Sequence, residues 1–227
     1  MPQSEAQDKT TRLLNVVSGF LQRHRLILIA ALTAVAVIIG ALFIYLEVRS
    51  SREQASRLAV EEVQDLFRQW NETTDQERQT QLAEEIRSGV DAIVAEYPRF
   101  YAAQRALMIR GNLQWELEQW QQAGEDFAQA ATGFNTGHLT PIALFNAAAA
   151  AEQAGNPARA MELLQELVDN HDTVEVPRAL FTLGRLAEGQ TQTGQALDYY
   201  RRLVDSHPGS TWTNLARNRI ITLSIAD

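Results

Sequence analysis

The sequence predicts an all-α protein: a single N-terminal transmembrane helix, then an α-helical solenoid of about four helical hairpins closed by a C-terminal capping helix. Three observations predict it. Residues 26–46 read LILIAALTAVAVIIGALFIYL, 21 residues without a charge. Beyond Glu47 there are no alternating strand-like runs, only alanine-, leucine-, glutamine- and glutamate-rich stretches of helical period. Small residues also recur at a fixed offset: Ala123, Ala160 and Ala196 lie 37 and 36 residues apart, as a stacked repeat requires.

The N-terminal elements follow from hydropathy. A helix over 26–46 spans roughly 30 Å, the thickness of a bilayer's hydrocarbon core. Arg25 and Glu47 bound it, and Tyr45 sits near its exit, where an amphipathic ring favours the interface. The run outlasts the apolar region of a cleaved signal peptide, and Glu47-Val48-Arg49-Ser50 is a poor cleavage site. Residues 1–25 are expected to be cytoplasmic: a polar, disordered tail over 1–9, then an amphipathic juxtamembrane helix whose apolar face carries Leu13, Leu14, Val16, Val17, Phe20 and Leu21. Four basic residues precede the span (Lys9, Arg12, Arg23, Arg25) and three follow it (Arg49, Arg52, Arg57), a slight positive-inside bias. That places residues 47–227 outside the cytoplasm.

The repeats come next. In a 34-residue frame opened at Pro177, Gly184 falls at position 8, Ala196 at 20, Tyr200 at 24 and Pro208 at 32. This is the spacing of the tetratricopeptide repeat. Small residues at 8 and 20 let the two helices of a hairpin approach, the aromatic at 24 is expected to fill the space toward the next hairpin, and the proline stops the second helix. Opened at Gln104, the frame gives Gly111, Ala123 and Phe127; opened at Pro141, it gives Ala148, Ala160 and Leu164. Repeats are therefore expected at about 104–137, 141–174 and 177–210. Asn135 and Asp172 stand at position 32 of the first two, in place of proline. Residues 50–70 and 77–97 form a degenerate hairpin ending at Pro98. Thr211 to Ile225 is a last helix, capped by Ser210, that covers the end of the stack.

With these elements in order, the chain resembles the membrane-anchored tetratricopeptide proteins of bacterial envelopes, in particular the YfgM type. Tyr101-Ala102-Ala103-Gln104-Arg105-Ala106-Leu107 resembles that family's entry into its first good hairpin, and Asn218-Arg219-Ile220-Ile221-Thr222-Leu223-Ser224 its C-terminal helix. The segment from Tyr199 to Ile220 looks equally like the repeats of outer-membrane assembly lipoproteins, whose lipidated cysteine is absent here. The YfgM resemblance implies an inner-membrane protein whose periplasmic domain associates with the Sec translocon and with periplasmic chaperones. A structural subunit of an envelope assembly, such as outer-membrane assembly, division or secretion machinery, is the alternative.

Composition bears on chemistry. The net charge is −8, which argues against nucleic acid as the main partner. There is no cysteine, and Lys9 is the only lysine, so thiol and Schiff-base chemistry have no candidate in the repeats. His24, His138, His171 and His207 lack a second ligand at metal spacing. No enzyme activity, metal or cofactor is expected. The expected function is protein binding through the concave surface formed by the first helix of each hairpin. Positions 2, 5, 9 and 12 of the frame face it. They are Arg105, Met108, Asn112 and Trp115; then Ile142, Phe145, Ala149 and Glu152; then Arg178, Phe181, Arg185 and Glu188. Arg105, Met108, Asn112, Phe145, Arg178, Phe181 and Arg185 are the candidate partner groove, with apolar anchors between arginine forks for a protein or peptide segment. Phe145 and Phe181 alternatively pack between hairpins. Trp120 and Trp212, near hairpin ends, read as packing residues.

Overall fold

The structure is a computed structural model that describes residues 2–133 and 138–226. Asn135, the residue read in place of a repeat proline, lies outside the described residues, as does the far end of the first repeat. The side chains proposed for the apolar face of residues 10–22 also lie outside them. The described residues form nine helices and no strand: α1 Pro2–Glu72, α2 Gln76–Glu96, α3 Tyr101–Glu116, α4 Trp120–Thr132, α5 Thr140–Gln153, α6 Pro157–Asn170, α7 Val176–Gly189, α8 Thr193–Ser206 and α9 Thr211–Ala226. They belong to two compact units, Met1–Glu53 and Gln54–Asp227.

The first unit consists of the N-terminal part of α1. Residues 2–9, expected to be an unstructured tail, are helical; no proline or glycine interrupts the chain between Gln3 and Ser18. Within 26–46 the described apolar side chains are exposed, Leu26 at 75% and Leu32 at 76%. Among the described residues α1 is the helix long and apolar enough to cross a membrane.

The second unit is a stack of helical hairpins. Prolines open α5, α6 and α7 in their first turns, where the missing N–H costs nothing. Asp75 caps α2 by accepting from the backbone N–H groups of Glu77 and Arg78, and Asn156 caps α6 by accepting from that of Arg159 at 3.1 Å. Ser210 caps α9, its Oγ accepting from the N–H of Trp212 at 3.3 Å. Ala123, Ala160 and Ala196 are all completely buried. One core cluster joins the C-terminal part of α1 to α2 and α3 through Val60, Val63, Leu82, Ile86, Val90 and Leu113. The other runs from Leu107 through Phe127, Leu144, Leu164, Leu183 and Tyr200 to Ala216.

Two details are added to the sequence expectation. The aromatic at position 24 lies on the glycine of its own hairpin. A Cβ built on Gly111 would stand 2.6 Å from Phe127 Cε1, and one on Gly184 2.6 Å from Tyr200 Cζ. Position 8 is therefore small because a ring occupies the side-chain space. The second detail is the turn between α3 and α4. No break is legible there, yet the chain turns over Leu117, Glu118 and Gln119, with Glu118 in the left-handed region at φ 57°.

Candidate functional site

Consecutive first helices α5 and α7 stand side by side, so position 2 of one repeat meets position 5 of the repeat before it, and position 9 meets position 12. The Arg178 guanidinium carbon lies 4.0 Å above the centroid of the Phe145 ring, a cation–π arrangement. Arg185 grips Glu152 with both guanidinium nitrogens, at 2.7 and 2.6 Å. That bridge pushes the Arg185 pKa up, against the opposing effect of burial. Four of the sequence-predicted groove residues, Phe145, Arg178, Phe181 and Arg185, thus come together with Ala149 and Glu152 around one pocket of about 230 Å³.

Trp212 forms another wall of that pocket. It arrives from α9, and its ring lies 5.3 Å from that of Phe181, which also contacts Tyr200 at 5.5 Å. Phe181 is therefore both a packing residue and part of the pocket wall, and Phe145 is buried beneath Arg178. A repeat frame does not reach α9, so frame positions alone do not find Trp212. The signal available was its place in the first turn of the capping helix.

The other groove candidates lie apart from this pocket. Arg105 pairs with Glu61 at 2.6 Å, Met108 is buried in the core, and Asn112 is exposed. Ile142 is exposed at the start of α5. Trp115 packs edge-on against Trp120 with ring centroids 4.9 Å apart. Glu188 is turned toward the capping helix, where it accepts from Arg219 Nε at 3.0 Å and from the Tyr200 hydroxyl. The bond from Arg219 holds the Glu188 carboxyl below the usual glutamate range; burial opposes it, and the Tyr200 hydroxyl adds to it.

Among the described residues Arg178 has no carboxylate partner, whereas Arg105 and Arg185 each have one. Arg178 is therefore the open cation of the pocket, with donors facing solvent above an aromatic floor. No group of three histidines and carboxylates is placed to hold a metal among the described residues. His171 and His207 do line one surface pocket of about 400 Å³, beside Asp169, Asp172 and Arg202.

The tetratricopeptide-repeat family model matches residues 110–175 and 145–211. A TPR repeat-containing protein of Treponema pallidum (strain Nichols) is 26% identical over 225 residues, covering 92% of this chain and 93% of the relative. The crystal structure of MamA superposes with a TM-score of 0.45 at 13% identity, over 66% of this chain and 91% of that one. Residues 110–211 of this chain therefore carry tetratricopeptide repeats, on a fold that is an all-helical solenoid of the same kind.

Proposed function

We propose that the protein is a membrane-anchored interaction scaffold that tethers periplasmic chaperones or their clients near the Sec translocon of the bacterial inner membrane. The observation that carries the binding role is the pocket of α5, α7 and α9: an apolar floor from Phe145, Leu164 and Phe181, with the unpaired Arg178 at its rim. It suits a peptide segment that presents an apolar side chain beside a carboxylate, since interface energy concentrates in aromatic and arginine residues. Arg185 contributes less than its position suggests, because Glu152 already neutralises it. The anchoring role is supported by the exposed apolar side chains within 26–46, on a helix long and apolar enough to cross a bilayer. The translocon and chaperones enter from the resemblance to YfgM-type proteins.

The test is co-purification from membranes in mild detergent, comparing wild type with Arg178→Ala and with Arg202→Ala. Arg202, on α8, pairs with Asp169 at 3.5 Å and lies outside the pocket. Translocon or chaperone subunits recovered with wild type and Arg202→Ala, but depleted with Arg178→Ala, support the proposal. Equal recovery from all three removes the pocket as the contact. A fixed stoichiometric set of other envelope components would instead make the chain a structural subunit of an assembly.

A further inference from the structure

The negative charge of this chain is concentrated in its first hairpin. Between Gln54 and Tyr97 there are ten carboxylates and four arginines, a net −6 of the chain's −8. The same hairpin carries an open trough of about 630 Å³ between the C-terminal part of α1 and α2. Its floor is apolar: Ala59, Val63 and Leu66 from α1, and Gly89, Ala92 and Ile93 from α2, with Ala59, Gly89 and Ala92 the small ones. Gly89 brings the helices close enough that a Cβ there would meet Val63 Cγ2 at 2.7 Å. Carboxylates stand on both rims, Glu62 on α1 and Glu84 and Glu85 on α2.

We infer that this trough docks an apolar stripe of a cationic amphipathic helix from a partner protein, with arginines or lysines of that helix reaching the rim carboxylates. The trough extends along α1 from Ala59 to Leu66, about two helical turns. That length matches an i, i+3, i+7 stripe on an incoming helix. Ala59, Gly89 and Ala92 let its backbone approach to a helix-packing distance of roughly 8–10 Å. The rim charges are available to it. Glu62 has no cation partner among the described residues. Glu85 meets Arg78 only at 3.4 Å, and Glu84 pairs with Arg87 while remaining 70% exposed. Exposed pairs of this kind exchange partners at little cost. Charge also excludes two other occupants. A second copy of this hairpin would bring one acidic face against another, and anionic lipid would repel both rims. This surface is separate from the pocket at Arg178, so the two are tested independently.

The experiment uses the full chain in a zwitterionic detergent. The probe is an alanine-based helical peptide with leucines at i, i+3 and i+7 and arginines on either side of that stripe. A peptide of the same composition in scrambled order and one with glutamate for arginine are the comparisons. Fluorescence anisotropy should show the arginine peptide binding wild type, more weakly as salt rises. Neither comparison peptide should bind. Glu62→Arg with Glu85→Arg should weaken binding by about tenfold or more, and Ala92→Trp, which fills the floor, should weaken it as well. Arg178→Ala should leave it unchanged, so failure here and failure of the pocket are distinguishable. Equal binding of the scrambled peptide, equal binding by the charge-reversed variant, or no binding by wild type overturns the inference. So does sedimentation showing that charge reversal dissolves a dimer, since a second copy would then be the occupant.

Discussion

Three residues share one position and one unusual conformation. Glu118, Gly155 and Thr191 all stand at position 15 of their frames, and all have positive φ, at 57°, 78° and 58°. Each follows a helix end at which the next backbone N–H bonds back five residues: Gln119 to Gln114, Asn156 to Ala151 and Gln192 to Ala187, at 2.8, 2.8 and 2.9 Å. This closure satisfies orphan carbonyls and prefers glycine at the left-handed residue. Only the second repeat supplies one. A β-branched residue is strained there, so Thr191→Gly should stabilise the chain by about 0.5–1 kcal/mol, while Gly155→Ala should destabilise it by about 1 kcal/mol. Denaturant midpoints would show both, and shifts of the same sign would contradict the shared turn geometry. At position 8 the sign reverses. Gly184→Ala places a methyl against the Tyr200 ring and should cost about 1–3 kcal/mol, even though alanine is the better helix former.

Elements were legible where the sequence carries breakers, and the exception has a physical cause. Gly155-Asn156-Pro157 and Pro208-Gly209 mark their turns by composition, and both fall at the junctions of successive helices. Leu117-Glu118-Gln119 contains no residue that forbids a helix, so only the repeat register exposes the turn, through its equivalence with Gly155. The site divides in the same way. Phe145, Arg178, Phe181 and Arg185 follow from helical spacing within α5 and α7. The occupation of Arg185 by Glu152 does not, because it depends on which residues of adjacent repeats lie level. The capping helix α9 shows what such cross-element bonds hold. Glu188 on α7 bonds Tyr200 on α8 and Arg219 on α9, so one carboxylate ties the cap to the last hairpin. Its folded pKa is depressed, chiefly by Arg219. The stabilisation is therefore complete above the ordinary glutamate value of about 4.3 and is lost as pH falls below it, through the folded value. Arg219 is 43% exposed, so screening limits the effect to roughly 1 kcal/mol or less. Melting temperatures should fall more steeply with acid for wild type than for Glu188→Gln, and parallel curves would refute the tie.

At the scale of the whole chain, the open question is what the exposed apolar helix does, and its two candidate fates leave different molecules. An apolar surface such as Leu26, Leu32, Ile38 and Phe43, each at least 65% exposed, is not stable against water over 21 residues. Either lipid covers it permanently or a signal peptidase removes it. Cleavage needs a short apolar region and small residues at the cut, whereas here the run continues to Leu46 and meets Glu47 and Arg49. An anchored chain should therefore resist carbonate extraction, and N-terminal sequencing of the extracted chain should start upstream of Leu26. A start after Leu46, with release into the soluble fraction, would make the segment a signal sequence and the repeats a free periplasmic domain. Orientation is a separate matter, because the charge bias across the span is only four against three. A periplasm-dependent reporter fused after Asp227 should be active, and protease added to spheroplasts should digest the repeats while the outer face of the membrane is exposed. Protection until lysis would place the repeats in the cytoplasm, where periplasmic chaperones cannot reach Arg178. The pocket would then have to be matched to a cytoplasmic partner.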